Sequence, residues 1–268
     1  MYLVDGQKNH DISVRDRSFQ YGDGVFTTIL TRNGTLVRWQ DHLARLKRGL
    51  FRLAIPEPDW PNVELWLAQV MSTEPLAGIK LHISRGQGGR GYSPTGCDAP
   101  MVTVSSFAFP AHYQNWYQTG VELGICQQQL GLNPMLAGIK HNNRLEQVML
   151  KAEMEQQGVV DGVVCDLNQH VVETTMANIF WRRGDVLYTP KIEQAGVEGV
   201  ARNFVVNHAE QFGHQVKVGS FSLQDLLCAD EVYLTNALIG VAPVRKIAHH
   251  AFSFGPLAEQ LRKSYMSC

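Results

Sequence analysis

The sequence predicts an α+β fold, and three observations lead to this prediction. Strand-like segments cluster along the chain with helical segments interspersed, without the regular β-α-β alternation of a doubly wound sheet. Asn33-Gly34, a dipeptide typical of tight hairpins, divides a β-rich segment near the N-terminus. Four leucines after this hairpin recur at the spacing of one helix face: Leu43, Leu46, Leu50 and Leu53.

In the N-terminal half, the predicted elements are a short strand and turn at 1–7, a hairpin at 24–39, helices at 39–55 and 60–73, and strands at 78–84 and 101–109. Asp41 is the predicted N-cap of the first helix. Residues 109 to 118 break the pattern and are predicted as a linker. The first domain then spans 1–108, and the second spans 119–268.

The C-terminal half begins with a predicted strand at 121–127 and a helix at 143–157. Two hairpins are predicted next, at 161–174 and 178–190. The remaining predicted elements are helices at 199–212, 222–228 and 256–265, and short strands around Val216, Val232 and Val244.

Composition indicates an ordinary globular protein, with 44% hydrophobic and 18% charged residues. A net charge of -1 gives no electrostatic reason to expect nucleic acid or an anionic membrane as partner. No apolar run approaches the roughly 20 residues of a membrane span, and the first residues lack the pattern of a signal peptide. The cysteines are odd in number and widely spaced, which fits a reducing cytoplasm and neither a disulfide framework nor a zinc site: Cys97, Cys126, Cys165, Cys228 and Cys268.

Lys140 follows the apolar stretch "PMLAGI" just before the predicted helix at 143–157. A lysine at such a junction is usually solvated. In apolar surroundings, however, desolvation lowers the pKa of an amine, and the neutral amine forms Schiff bases with carbonyl compounds. The residues alone leave both interpretations open, a surface lysine or a covalent one.

Glu173 interrupts the strand-like alternation of "VVETTMANIFW", and Asn178 lies in the next strand. One interpretation of Glu173 is an exposed strand carboxylate. The other is a carboxylate facing a cationic ring nitrogen, the partner that pyridoxal phosphate (PLP) needs in order to act as an electron sink.

A phosphate site is indicated by Gly196 and Gly199, which precede a predicted helix and would expose backbone N–H groups at its positive end. Arg45 lies one position off the leucine face. It is either a solvated helical arginine or a group that binds the phosphate.

The sequence "GQGGRG" at 86–91 satisfies G-x-G-x-x-G, but the following "YSPTGCDAP" predicts a loop where a dinucleotide site needs a helix. We therefore expect a loop that approaches a ligand closely, with Arg85 and Arg90 as carboxylate-binding candidates. A nucleotide-dependent oxidoreductase stays a distant alternative. No metal-ligand motif and no G-x-S-x-G motif occurs, so no metal site is expected.

Together these segments resemble the fold-type IV PLP enzymes, a group that contains branched-chain and D-amino acid aminotransferases and aminodeoxychorismate lyases. The resemblance covers nearly the whole chain and is carried by "RDRSFQYGDGVFTT", "HLARL", "AGIKHNNRLEQV", "VVETTMANIFW" and "GVEGVAR". It implies a small N-terminal α/β domain, a larger barrel-like C-terminal domain of mixed α/β structure, PLP as cofactor and a homodimer.

The resemblance also implies roles for individual residues. Lys140 would carry the cofactor as a Schiff base, and Glu173 would face its pyridine nitrogen. Arg45 and the backbone N–H groups of Val200 and Ala201 would bind its phosphate, with Asn178 as a further ligand. Ala237 stands where aminotransferases often keep a threonine hydroxyl for the phosphate, which leaves Asn236 or the backbone as the last ligand.

Within this group, "SRGQGGRGYSP", "PAHY" and "TNAL" resemble the lyases, and Thr27 stands where aminotransferases typically carry glutamate. The resemblance implies conversion of 4-amino-4-deoxychorismate to 4-aminobenzoate and pyruvate, with an aminotransferase on the same fold as the alternative. Thr28 is a further catalytic candidate. Three arginines are candidates for the two substrate carboxylates: Arg85, Arg90 and Arg144. A ligand-binding module without catalysis stays a third possibility.

Overall fold

The computed structural model describes residues 1–97 and 99–267, so Cys268 lies outside the described residues. The chain divides into two compact units. The N-terminal unit comprises Met1–Phe109 and Ile139–Arg144, and the C-terminal unit comprises Pro110–Gly138 and Leu145–Cys268. The short lysine segment therefore belongs to the N-terminal unit, although the sequence predicted it as part of the second domain.

The N-terminal unit contains a six-stranded antiparallel sheet in the order β2-β1-β6-β5-β3-β4. Its strands are β1 (Tyr2–Val4), β2 (Gln7–Lys8), β3 (Gly24–Arg32), β4 (Thr35–Leu36), β5 (Leu76–Ser84) and β6 (Met101–Ala108). Its helices are α1 (Arg17–Tyr21), α2 (Trp39–Arg52) and α3 (Trp60–Val70). The hairpin at Asn33-Gly34 is confirmed, with both residues at positive φ.

The core of the N-terminal unit forms between one face of the sheet and helices α2 and α3. Ile29 of β3 and Ile79 of β5 are fully buried against Leu46, Leu50 and other apolar residues of this cluster. Since side chains alternate along a strand, Phe26 and Thr28 lie on the opposite face of β3. That second face also carries Lys80, which pairs with Thr28 in the register of β3 and β5.

The C-terminal unit contains a mixed nine-stranded sheet in the order β12-β11-β10-β13-β14-β7-β8-β9, with β15 paired to β14. Its strands are β7 (Val121–Ile125), β8 (Asp161–Cys165), β9 (Val171–Thr174), β10 (Asn178–Arg183), β11 (Val186–Pro190), β12 (Gln215–Gly219), β13 (Glu231–Asn236), β14 (Gly240–Ile247) and β15 (His250–Ala251). Its helices are α4 (His112–Thr119), α5 (Leu145–Gln156), α6 (Val200–His208), α7 (Leu223–Leu227) and α8 (Leu257–Met266).

Both predicted hairpins of the C-terminal unit are confirmed, as β8–β9 and β10–β11. The sheet also contains parallel pairs, β7 with β8 and with β14, and β11 with β12. An α+β architecture is therefore confirmed. Among the described residues, no helix combines the length and the apolar character needed to cross a membrane.

Two local predictions are wrong. Residues 109 to 118 are not a linker, because most of them form α4, which buries Tyr113 and Trp116 in the C-terminal unit. Asp41 is not the N-cap of α2, since the helix begins at Trp39 after Arg38, which takes a left-handed conformation with φ 54°. Asp41 lies in the first turn and forms an ion pair with Arg38.

Candidate active site

The segment around Lys140 is attached to β3 through the backbone. The Phe26 N–H donates to the Lys140 carbonyl at 3.0 Å, and the Asn142 N–H donates to the Gly24 carbonyl at 2.9 Å. An antiparallel bridge joins Val25 and His141 between these two bonds. The segment thus behaves as a short additional strand, which fixes the position of Lys140.

Asn142 ties this segment to two further elements. Its Nδ2 donates to Ser18 Oγ of α1 at 2.9 Å and to the Ile83 carbonyl of β5 at 3.2 Å. A Cβ atom on Gly24 would lie 2.3 Å from this Nδ2 and 2.2 Å from the Ile83 carbonyl oxygen. The close approach therefore requires glycine at position 24, which explains part of the "YGDG" motif.

The Lys140 side chain is half-buried, with Nζ 4.6 Å from the centroid of the Phe26 ring. Lys80 of β5 lies 5.1 Å from the same ring, so two ammonium groups share one aromatic side chain. Thr28 pairs with Lys80 in the strand register. Lys80 was missed in the sequence because it reads there as an ordinary exposed strand lysine.

Two histidines next to this segment are held neutral. Burial, followed by the charges of Arg144 and Lys140, lowers the pKa of His141 to about 4. Burial, followed by the charges of Arg45 and Lys140, lowers the pKa of His42 well below its ordinary value of 6.5. Positive charge is therefore concentrated near Lys140, and the neighbouring imidazoles do not add to it.

Arg45 is buried, so the solvated interpretation is wrong. Its Nη2 donates to Thr27 Oγ1 at 2.6 Å, and this hydroxyl lies 2.6 Å from His42 Nδ1. Because the hydroxyl accepts from arginine, its own hydrogen goes to Nδ1 of the neutral imidazole. Thr27 and His42 thus orient Arg45. Neither was recognised as a partner of Arg45 from the sequence, although His42 and Arg45 are three residues apart on one helix.

The glycine-rich segment after β5 is a loop, as predicted, and no helix follows its G-x-G-x-x-G pattern. Arg17 of α1 holds it, since its guanidinium donates to Asp23 and to the carbonyls of Gly91, Tyr92 and Ser93. This anchoring supports the expectation of a defined loop and removes the basis for a dinucleotide fingerprint.

The predicted substrate-binding role of Arg85 is wrong. Its guanidinium donates to both carboxylate oxygens of Asp23 and to the carbonyls of Leu53 and Ala54. These bonds give Arg85 a structural role in place of the substrate contact predicted for it. Arg90, by contrast, is exposed on the loop. Arg144 is half-buried and donates from Nε to the His141 carbonyl at 2.8 Å.

In the C-terminal unit, Glu173 of β9 is buried, so the exposed interpretation of this carboxylate is wrong. Its Oε2 accepts the Val197 N–H at 3.0 Å. Gly196, with φ 87°, makes this possible, because a Cβ there would lie 2.6 Å from Val172 Cγ1. The glycine predicted to serve a phosphate site therefore positions the carboxylate as well.

Asp161 organises the turn that follows Glu173. This fully buried carboxylate accepts from the hydroxyls of Thr174 and Thr175 and from the N–H groups of Gly162 and Thr175. Burial raises the pKa of Asp161, and these hydrogen bonds oppose that effect. Sequence reasoning missed Asp161, whose threonine partners lie thirteen and fourteen residues further along the chain.

The predicted phosphate residues other than Arg45 lie in the C-terminal unit. Helix α6 starts at Val200 after Gly199, and no side chain caps its N-terminus. Asn178 donates to the Val197 carbonyl at 2.8 Å. A Cβ on Gly199 would lie 2.2 Å from Asn178 Oδ1, so glycine is required there too. The backbone N–H groups of the first helical turn have no partners within the helix, which is the arrangement that binds anions.

Asn236 ends β13, and hydrogen bonds within the protein occupy its side chain. Its Oδ1 accepts the N–H groups of Leu238 and Ile239 at 3.0 and 2.8 Å, and it also forms a hydrogen bond with the Tyr113 side chain. Ala237 contributes no polar side-chain atom.

The chain belongs to the amino-transferase class IV family, whose model matches residues 24–247. This is a family of PLP-dependent enzymes with the fold-type IV architecture, in which the larger sheet forms a half-barrel. The expected fold and cofactor are therefore confirmed.

Individual relatives narrow the comparison. The chain is 49% identical to aminodeoxychorismate lyase of Vibrio harveyi over 248 residues, which cover 92% of each protein. It is 26% identical to D-alanine aminotransferase of Bacillus licheniformis over 88% of this chain and 83% of that one. The crystal structure of 4-amino-4-deoxychorismate lyase from Pseudomonas aeruginosa is similar with a TM-score of 0.91 and 36% identity, covering 98% of this chain and 97% of that chain.

Proposed function

We propose that this protein is a PLP-dependent lyase that converts 4-amino-4-deoxychorismate to 4-aminobenzoate and pyruvate, a reaction of folate biosynthesis. The observation that carries the proposal is the 49% identity to a protein of this activity over 92% of both chains. Lys140, Glu173 and Arg45 agree with it but do not decide it, because the resemblance implies the same three residues in aminotransferases.

The residues of the C-terminal unit suit the pyridine nitrogen and the phosphate of PLP. Glu173 is a buried carboxylate held by a backbone N–H, which suits a protonated ring nitrogen. The uncapped N-terminus of α6, with Val200 and Ala201 in its first turn, suits a phosphate group. Asn178 supports this loop through Val197.

The residues of the N-terminal unit, taken by themselves, suit the aldehyde and the phosphate of PLP. Lys140 is fixed by its backbone and packs on Phe26, as a covalently attached lysine requires. Arg45 is buried and oriented by Thr27, and its charge suits the phosphate.

When bound, PLP supplies an electron sink for the electron pair left by a departing proton. Lys140 Nζ would hold the cofactor, and its free amine would remove the proton from the substrate carbon that bears nitrogen. The Glu173 carboxylate would hold a proton on the ring nitrogen. The carbon–oxygen bond to the enolpyruvyl group would then break, and the substrate ring would become aromatic. The leaving enolpyruvate would take up the removed proton, which ends in the methyl group of pyruvate.

The two substrate carboxylates need cationic partners. Arg90 and Arg144 remain candidates, and Lys80 joins them because its ammonium group shares the Phe26 ring with Lys140. Thr28, in register with Lys80, stays a further candidate for holding a proton or a water during the reaction. Arg85 is left out because Asp23 and two carbonyls occupy its guanidinium.

The proposal is tested with purified protein, added PLP and 4-amino-4-deoxychorismate. We expect pyruvate and 4-aminobenzoate in equal amounts, detected by lactate dehydrogenase coupling and by fluorescence. A matched reaction with D-alanine or a branched-chain amino acid and 2-oxoglutarate measures transamination. Faster transamination than lyase turnover would replace the lyase with an aminotransferase, and PLP binding without either turnover would indicate a binding module.

We also propose that the protein is a cytoplasmic homodimer that uses neither nucleic acid nor a membrane as partner. Free thiols at Cys97, Cys126, Cys165 and Cys228 support a reducing compartment. An exposed apolar face on α5 supports the dimer: Leu145, Val148 and Met149 lie at helical spacing and are 64%, 61% and 49% exposed.

A further inference from the structure

Thr235, the second-last residue of β13, has a buried hydroxyl that needs a hydrogen-bond partner. The residue is 1% exposed, and its Oγ1 forms no hydrogen bond with any group in residues 1–97 or 99–267. A buried polar atom without a partner costs free energy, and such atoms are rare in native proteins. A hydroxyl of this kind next to an anion site indicates a ligand that supplies the missing acceptor.

The strand register shows which way Thr235 faces. Thr235 lies directly opposite Asn178 in the antiparallel pair of β13 and β10, so the two side chains project from the same face. Asn178 contacts the loop before α6 on that face, through its hydrogen bond to the Val197 carbonyl and its close approach to Gly199. Thr235 therefore faces the loop that leads to the N-terminus of α6.

The N-terminus of α6 and the hydroxyl together suit an anion with several acceptor oxygens. The helix has nine residues, and Gly199 at its N-cap provides no side-chain cap. Its first-turn N–H groups and the Thr235 hydroxyl are all donors, as a phosphate monoester requires.

Other residues at the end of β13 do not provide this donor. Asn236 Oδ1 already accepts two backbone N–H groups, its Nδ2 lies 3.4 Å from the Met176 carbonyl oxygen, and it bonds Tyr113. Ala237 has no hydroxyl. We propose that Thr235 Oγ1 donates a hydrogen bond to the phosphate of PLP and so replaces the side-chain ligand that Ala237 cannot supply. This inference rests on the family cofactor and deepens the proposed function.

The test compares Thr235→Val, which keeps the shape and removes the hydroxyl, with Thr235→Ser, which keeps the hydroxyl. Apoprotein is titrated with PLP and the dissociation constant is read from cofactor absorbance. We expect Thr235→Val to weaken PLP binding roughly 10- to 100-fold and Thr235→Ser to stay within about 3-fold of the unaltered protein. The ³¹P chemical shift of bound cofactor should move in Thr235→Val only.

A structural role would give a different pattern. Because the hydroxyl has no partner among the residues that the structure describes, apo Thr235→Val should melt at the same or a higher temperature than the unaltered apoprotein, while gaining less stability from PLP. A second variant, Thr235→Val with Ala237→Thr, should recover at least part of the PLP affinity by supplying a hydroxyl two residues further on.

Equal PLP affinity and an equal ³¹P shift in Thr235→Val and the unaltered protein would overturn the inference. Marked destabilisation of the apo Val variant would also overturn it, since the hydroxyl would then have a structural partner. The proposed function fails separately, if the unaltered protein binds PLP but releases no pyruvate from 4-amino-4-deoxychorismate.

Discussion

Among single residues, Lys140 should be the one whose removal has the largest effect on turnover. Its side chain combines two proposed roles, covalent attachment of the cofactor and proton removal, and positioned acid–base groups contribute at least about 100-fold. We expect Lys140→Ala to lose lyase turnover by at least this factor. Borohydride should no longer fix cofactor to the chain, which mass spectrometry of the treated protein measures.

The control for Lys140→Ala is Lys47→Ala, which removes a partly exposed lysine paired with Glu57 at 3.5 Å. This control should keep both turnover and borohydride fixation. Full lyase activity in Lys140→Ala would end the proposed role of the lysine.

Glu173 permits a more selective substitution, because only its charge needs to change. In Glu173→Gln the amide oxygen can still accept the Val197 N–H, so the local fold should persist. The variant should bind PLP but turn over about 100-fold more slowly, since stabilisation of developing charge is lost. Cofactor titration and initial rates separate the two effects, and unchanged turnover would remove the electron-sink role.

At the level of elements, the lysine segment and β5 carry half-buried imidazoles that make stability depend on pH. Burial, with the charge of Lys80 next in importance, lowers the pKa of His82 to about 4, and the pKa of His141 is also about 4. The unfolded chain binds these protons near 6.5, so the folded state loses stability as pH falls from about 6.5 to about 4.

Replacing these histidines should weaken that dependence. We expect His82→Gln with His141→Gln to lose less unfolding free energy than the unaltered protein between pH 7 and pH 4, as urea denaturation at each pH would show. His249→Gln, an exposed substitution, serves as the control. Parallel stability curves for all three proteins would contradict the assignment of half-buried, neutral imidazoles.

Regular elements could be predicted from the sequence because their signals are local. The hairpin at Asn33-Gly34 and the two hairpins of the C-terminal unit follow from turn residues and alternation. Helix α4 could not be predicted in this way, since it has no leucine stripe. Its aromatic residues Tyr113 and Trp116 are buried only in the folded unit. Arg85 was misassigned for a similar reason, because its partner Asp23 lies 62 residues away.

The candidate site was also predictable only in part from the sequence. Motif resemblance suggested Lys140, Glu173 and Arg45 without any geometry. The groups that orient or complete them, such as Thr27 for Arg45 and Val197 for Glu173, depend on pairings across the fold. Such partners have no sequence signature of their own, and only the folded chain identifies them.

At the scale of the whole molecule, a substitution on the apolar face of α5 can test the proposed dimer. Leu132 and Met135 of the preceding loop are also exposed, and Glu146 joins this loop to α5 by accepting the Gly131 N–H at 3.1 Å. These exposed apolar side chains all belong to one unit, and a patch of exposed apolar residues indicates an interaction site. We propose that a second copy of the chain covers it.

Val148→Glu places a charge in the middle of this face and should shift the protein from dimer to monomer, because a buried, unpaired carboxylate at an interface is costly. Light scattering should give twice the chain mass of 30.0 kDa for the unaltered protein and the single mass for the variant at micromolar concentration. Gln156→Glu adds the same charge at an exposed polar position of α5 and should remain dimeric. A dimeric Val148→Glu protein would mean that another surface forms the dimer, and a monomeric unaltered protein would contradict the dimer itself.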